Sequence, residues 1–224
     1  MIKQSILALA SLAIALTAQA APPVTITYLP FTISAPGTYI LAKDFTFSDS
    51  GTAINILPLP SPAGPVILDL KGHTITGPGL NSQNAAIVVG GGNFYPVTIR
   101  NGTLSNFHND IAAGGGVSPA NTVTIDSMIF NLPTQFGAFG SGGSGVSFDG
   151  AFNCRVKDCT FIAESSTDRS GSSGITDDDP QGGNSYENNT FNGVTNPFAI
   201  VTDFDTGIDQ IVLDNAKYSP LKKK

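Results

Sequence analysis

Three aspartates, Asp149, Asp178 and Asp203, each follow a short apolar run and fall into one column when Val146 is set against Ile175 and Ile175 against Ile200. Asp177, Asp179 and Asp205 lie beside them. Carboxylates stacked in this way repel, so they stay solvated, take up protons or hold a cation. As hard oxygen ligands they suit calcium, which makes Asp149, Asp178 and Asp203 the candidate metal ligands and calcium the candidate cofactor. Paired carboxylates also serve glycoside cleavage when they stand about 5 to 9.5 Å apart. The competing reading of Asp177-Asp178-Asp179-Pro180 is an exposed turn, for which it has the residue types.

The second set of candidates would hold a sugar. The stretch 131–144 carries Phe136 and Phe139 between glycines, and 162–173 carries Glu164, Asp168 and Arg169. An aromatic ring covers the apolar face of a sugar while polar groups bond its hydroxyls, so Phe136, Phe139, Arg169 and Lys157 are candidate substrate-binding residues. Both phenylalanines could equally tuck against the core. No other catalytic set assembles. His73 sits beside Gly72, and His108 lies in Asn106-Phe107-His108-Asn109-Asp110 with no partner that marks it as a base. Cys154 and Cys159 read as small apolar fillers, with a disulfide open only if the chain bends between them.

These side chains must be positioned by a repeat. One pattern begins at Ile40, Leu68, Val97, Val123, Cys154, Asn184 and Ile211, at intervals of 26 to 31 residues. Its first column is those seven residues, and its third is Ala42, Leu70, Ile99, Ile125, Val156, Tyr186 and Leu213. Mostly apolar residues two apart form the inward face of a β-strand. The fifth column, Asp44, Gly72, Asn101, Ser127, Asp158, Asn188 and Asn215, is turn chemistry throughout. The eighth, Phe47, Ile75, Leu104, Phe130, Phe161, Phe191 and Tyr218, fills an interior after the bend. A further short apolar run follows, as in Ala53-Ile54-Asn55-Ile56 and Ala86-Ile87-Val88-Val89. One such unit cannot bury its own apolar face, whereas a stack of them can. The expectation is an all-β, right-handed parallel β-helix of about seven coils spanning 38–218, after a lead-in over 21–37 and before a basic tail at 219–224. A β-sandwich also has many short strands, but it does not repeat a turn column at this period.

Val66-Ile67-Leu68-Asp69-Leu70-Lys71-Gly72-His73-Thr74-Ile75-Thr76-Gly77 and Val97-Thr98-Ile99-Arg100-Asn101-Gly102-Thr103-Leu104 resemble the rungs of right-handed parallel β-helix proteins of the pectin-lyase-like superfamily, including its NosD-type branch. The resemblance covers about residues 38 to 218 and implies the fold. It leaves the activity open, because these rungs recur in lyases, hydrolases, epimerases, adhesins and proteins without known activity. Pectate lyases of this superfamily hold calcium between protein carboxylates and a uronate, which makes the same use of Asp149, Asp178 and Asp203 imaginable here. The catalytic motifs of its polygalacturonases and alginate epimerases are absent from the sequence.

Lys3, the apolar stretch from Ile6 to Leu16 and Ala18-Gln19-Ala20 read as a signal peptide over 1–20, so the chain is expected to be exported to the periplasm, the surface or the medium. Removing 20 of the 224 residues takes away one lysine and no acid, moving the formal charge from −6 to −7. An acidic chain without a basic cluster is a poor partner for nucleic acid, and no stretch of the mature chain is long and apolar enough to span a bilayer. The outward fourth column, Lys43, Lys71, Arg100, Asp126, Lys157, Glu187 and Asp214, reads as a salt-bridge ladder or, at its basic end, as a holder for an acidic polymer. Together these features give two expectations. The first is a non-catalytic module that binds an extended glycan or serves a surface or structural role. The alternative is a small lyase or hydrolase of acidic, uronate-containing polysaccharide that works with calcium.

Overall fold

The computed structural model describes residues 21–58, 64–79, 84–92, 95–114, 122–133, 143–163, 173–177, 183–194, 196–200 and 217–219. Among these, every regular element is a β-strand. Strands β1 (Val24–Ile26), β3 (Gly37–Leu41), β6 (Val66–Asp69), β9 (Val97–Ser105), β11 (Val123–Leu132), β14 (Thr160–Ala163), β17 (Thr190–Asn192) and β19 (Lys217–Ser219) lie side by side in that order. β4 (Phe45–Thr46), β7 (Thr74–Thr76), β13 (Arg155–Lys157) and β16 (Ser185–Glu187) complete this sheet. A second sheet stacks β2 (Phe31–Ile33), β5 (Thr52–Ile56), β8 (Ala85–Gly90), β10 (Asn109–Gly114), β12 (Ser144–Asp149), β15 (Ser173–Asp177) and β18 (Asn196–Ile200). Pairing is parallel and runs from each rung to the next, as in β9 with β11 and β10 with β12. The chain is a parallel β-solenoid.

Four consecutive turns, led by β6, β9, β11 and β13, form its fully flanked middle. The expectation of about seven coils counted the outer turns as equals. Their outermost strands are short: β1, β2 and β19 hold 3 residues each and β4 holds 2. The stretch expected as a lead-in contributes β1 and β2, which extend both sheets by one strand. The expected signal peptide lies outside the described residues.

The bend within each rung is a residue in the left-handed backbone region. Asn101 (φ 58°), Ser127 (φ 55°), Asp158 (φ 55°) and Asn188 (φ 54°) occupy it in successive coils. Asn and Asp tolerate this region better than other side chains do. The bend reverses the inward-outward alternation. Before it Val97 and Ile99 point inward; after it Leu104 does, and Val123, Ile125 and Phe130 repeat the pattern.

The first two rungs correct the expected alignment. Val66, not Leu68, pairs with Val97, and Tyr39 and Leu68 share the column of Ile99. The reason is a longer bend: four residues, 70–73, separate Asp69 from Thr74, where two separate Arg100 from Thr103. Lys71 (φ 55°) and Gly72 (φ 81°) both turn through the left-handed region. Leu70 then folds inward against Gly102, where a Cβ would lie 2.3 Å from the Leu70 Cβ, so only glycine fits. From Ile75 onward the eighth column holds its expected register, Ile75, Leu104, Phe130, Phe161, Phe191 and Tyr218.

That column is the thickest part of the core. Phe130, Phe161 and Phe191 are fully buried, and their rings stack at 4.6 Å and 4.8 Å with interplanar angles of 15° and 9°. Gly145 of the second sheet clears space for this stack, since a Cβ there would meet the Phe161 ring at 2.7 Å. Phe161→Ala removes the middle ring. It is expected to lower unfolding free energy by about 3–5 kcal/mol, read from urea denaturation of both proteins.

Cys154 and Cys159 are buried thiols on the two sides of one bend. The Cys154 Sγ lies 3.5 Å from the Phe152 carbonyl and the Cys159 Sγ lies 3.1 Å from the Lys157 carbonyl. Burial pushes the Cys159 thiol up to about 12. At pH 8 the folded protein is expected to leave Cys159 unmodified by iodoacetamide, with labelling only on unfolding, as scored by peptide mass.

Candidate functional site

The outward face of the rungs before the bend carries the charged side chains. Register pairing sets Asp69 beside Arg100, Arg100 beside Asp126, Asp126 beside Lys157 and Lys157 beside Glu187. Signs alternate along this row. The Arg100 Nε donates to the Asp69 carboxylate at 3.0 Å, and the Lys157 Nζ stands 2.7 Å from Asp126. Arg155, in the neighbouring outward column, pairs with Glu187. Asn101 also donates to both Asp69 oxygens at 3.3 Å.

Two carboxylates of the row, Asp69 and Asp126, are held below their usual range. Burial pushes Asp69 up, but hydrogen bonds from the Lys71 N–H, Asn101 and Arg100 outweigh it and hold the group below its usual range. Asp126 is lowered in the same way, with burial opposed by Lys157 and Ser127. Lys157 is raised chiefly by its bond to Asp126.

Lys157 was a candidate substrate-binding residue, and its ammonium is committed to Asp126 with Asp158 at 3.8 Å. The expected basic run Lys43-Lys71-Arg100 does not form, because the longer bend puts Asp69 where Lys71 was aligned. Lys43 instead lies 5.5 Å above the Phe45 ring. His73 is a bend residue whose Nδ1 lies 3.1 Å from Asp44. Asp44 also accepts the Thr74 N–H at 2.9 Å, and these two bonds, the backbone one first, lower its carboxyl.

The acidic column is only partly within view. Asp149 is exposed at the end of β12, whereas Asp178 and Asp203, like Phe136, Phe139 and Arg169, lie outside the described residues. The β12–β15 register pairs Val146 with Ile175 as expected, but β15–β18 pairs Ile175 with Phe198 rather than Ile200. The second step of the alignment was therefore displaced by two residues. Asp177 points inward, accepting the Tyr186 hydroxyl and the Asn184 amide, the latter at 3.0 Å. Among the described residues no three His, Cys, Asp or Glu side chains converge to hold a metal.

Inside the last described turn, asparagines take over backbone bonding. The Asn184 carbonyl accepts the Cys154 N–H at 2.8 Å while its amide donates to the Ala151 carbonyl at 2.9 Å. Asn189 does the same for the Cys159 N–H at 3.0 Å and the Val156 carbonyl at 2.9 Å. These residues occupy inward positions that neighbouring rungs fill with valine, cysteine, methionine or glycine.

Sequence reading passed over Asp110. It is fully buried on β10, and neither carboxylate oxygen has a hydrogen-bond partner. Its column is otherwise small, with Ala86 on one side and Gly145 on the other. That mismatch, one acid among alanine and glycine, was the signal that could have found it. His108 and Asn84 share the corner: the Asn84 side-chain Oδ1 accepts the His108 backbone N–H at 3.0 Å, and the Asn84 Nδ2 and His108 Nδ1 are buried without partners. Burial lowers His108, and it raises Asp110 well above the ordinary range.

A folded-state value above the unfolded one sets the sign. The contribution of Asp110 to stability is fully present below the ordinary carboxyl range of about pH 4 and is lost as pH rises toward the folded value. Asp110→Asn keeps the shape and removes the charge. Its unfolding free energy is expected to fall less steeply than wild type's above about pH 4, and to exceed it by about 1–3 kcal/mol at pH 8, in urea titrations across pH.

Compared with family models, with curated proteins and with solved structures, the chain matches none.

Proposed function

We propose that this chain is an exported, non-catalytic solenoid module that binds an extended, uncharged glycan along the charged row before the bend. The single observation that carries the reading is the alternation of sign in that row. Asp69, Arg100, Asp126, Lys157 and Glu187 neutralise one another from coil to coil. A surface whose cations are already paired has little attraction for a polyanion, yet its carboxylates, guanidinium and ammonium retain spare donors and acceptors for hydroxyls. Successive coils repeat these groups about every 4.8 Å, so a linear polymer meets the same chemistry along its length.

Export rests on the signal-like first 20 residues. The resemblance of the rungs to the pectin-lyase-like superfamily supports a carbohydrate ligand. Its calcium-dependent lyases need converging carboxylates, and the inward Asp177 leaves that set without one of its expected neighbours. The module reading therefore fits the described residues better than uronate cleavage does.

Affinity electrophoresis in gels containing neutral or acidic polysaccharides tests the reading, with release of new chain ends measured alongside, in calcium and in chelator. Retardation by a neutral polymer, weakened about tenfold by a Lys157→Ala, Arg155→Ala double variant, is the expected result. Retardation only by uronate polymers, or calcium-dependent release of chain ends, would replace it with the lyase reading.

A further inference from the structure

The N-terminal end of the solenoid leaves open what the coils behind it close. β1 and β2 are the end strands of their sheets, and among the described residues neither pairs with a strand on its outer side. The inward columns are uncovered there as well. Val24 stands in the column of Tyr39, Leu68 and Ile99, all buried, yet it is 45% exposed. Phe31 stands in the column of Ile54, Ile87 and Ile111, all fully buried, and is itself only partly covered. Tyr28, 62% exposed, sets its ring edge-on to Phe31 with centroids 5.8 Å apart. Leu57, also exposed, is tied to the end of β2 by its N–H, which the Ile33 carbonyl accepts at 3.0 Å. Of the large apolar side chains exposed among the described residues, only Ile129 lies away from this end.

An open edge selects its partner by backbone chemistry. Its free N–H and C=O groups take up another strand, and the open columns behind them take apolar side chains on that strand. Here two edges must be met at once, one in each sheet, and the first coil of another copy carries strands and apolar residues at both. Charge points the same way. No Asp, Glu, Lys, Arg or His occurs from Ala21 to Ala42, in a chain whose formal charge is −6. Two copies repel over the acidic remainder of their surface and least at this end. Pro22 and Pro23 precede β1 and Pro30 precedes β2, and proline cannot donate to a ladder, so pairing stops at the 3 residues of each strand. A contact between one end and the same end of a second copy uses that surface on both sides and closes at two.

We infer that the first coil is a docking surface for a second copy of this chain, joined N-terminal end to N-terminal end with β1 and β2 each laid antiparallel against a strand of the other copy. The contact does not depend on the glycan reading.

Sedimentation velocity of the purified protein over a range of concentrations tests it. Wild type is expected to pass from the mass of one copy to that of two as concentration rises. Val24→Lys sets a charge in the open column and is expected to weaken the association by about tenfold. Tyr28→Lys, at a position more exposed still, is expected to do the same and guards against a folding defect in the first variant. Ile129→Lys sets the same charge on the exposed apolar residue away from this end and is expected to leave the association unchanged. Circular dichroism checks that the variants fold like wild type. A wild type that keeps the mass of one copy throughout overturns the proposal. So does growth beyond two copies, or equal weakening by Ile129→Lys. Val24→Lys should leave polysaccharide retardation intact, which separates failure of this proposal from failure of the glycan reading.

Discussion

The left-handed residue in the middle of each rung is the constraint on which the rest depends. A strand alternates its side chains with a period of two, so an unbroken rung would present a single inward set. Placing Asn101, Ser127, Asp158 or Asn188 at φ near 55° breaks the rung and inverts the alternation. Columns that would have faced solvent then face the core, and the ring stack of Phe130, Phe161 and Phe191 exists because of it. The same inversion ends the charged row at the bend, and Thr103, Thr160 and Thr190 stand outward after it.

Interior polar groups follow from the same geometry. A bent rung cannot keep every backbone donor in the ladder, and buried donors left without acceptors are costly. Asn184 and Asn189 supply amide groups in place of the missing backbone partners at the Cys154 and Cys159 N–H groups. Asp110 is the contrasting case, a carboxyl with no such bonds, which burial raises well above the ordinary range. One acid in this setting makes the solenoid sensitive to alkali, whereas the paired carboxylates Asp69 and Asp126 make it sensitive to acid.

Alternating charge on the outer face fixes register as well as chemistry. Slipping one rung past its neighbour by a single residue would bury outward groups, and slipping by two would oppose other side chains across the coils. Asp69, Arg100, Asp126 and Lys157 reward the observed pairing alone. The pairs lie partly exposed at the surface, so each contributes modestly to stability and more to discrimination between registers.

How much of this was legible in the residues themselves follows from what repeats. Column periodicity, the turn residue Asn101 with its successors, and the eighth-column residues Ile75, Leu104, Phe130, Phe161 and Phe191 determined a parallel β-solenoid, because stacking requires each rung to present the same pattern. Departures from the repeat were not readable in that way. The bend over 70–73 is two residues longer, and only the pairing of Val66 with Val97 revealed that Asp69, not Lys71, stands beside Arg100. The shift of β18 likewise set Phe198 beside Ile175, and the inward turn of Asp177 depended on partners, Tyr186 and Asn184, from the following coil. Sequence by itself therefore determined the architecture, since that is a property of the average rung. Tertiary structure decided which charges meet and which acid is buried. Those depend on register between coils, and one or two residues added in a corner change register without altering the local pattern of any strand.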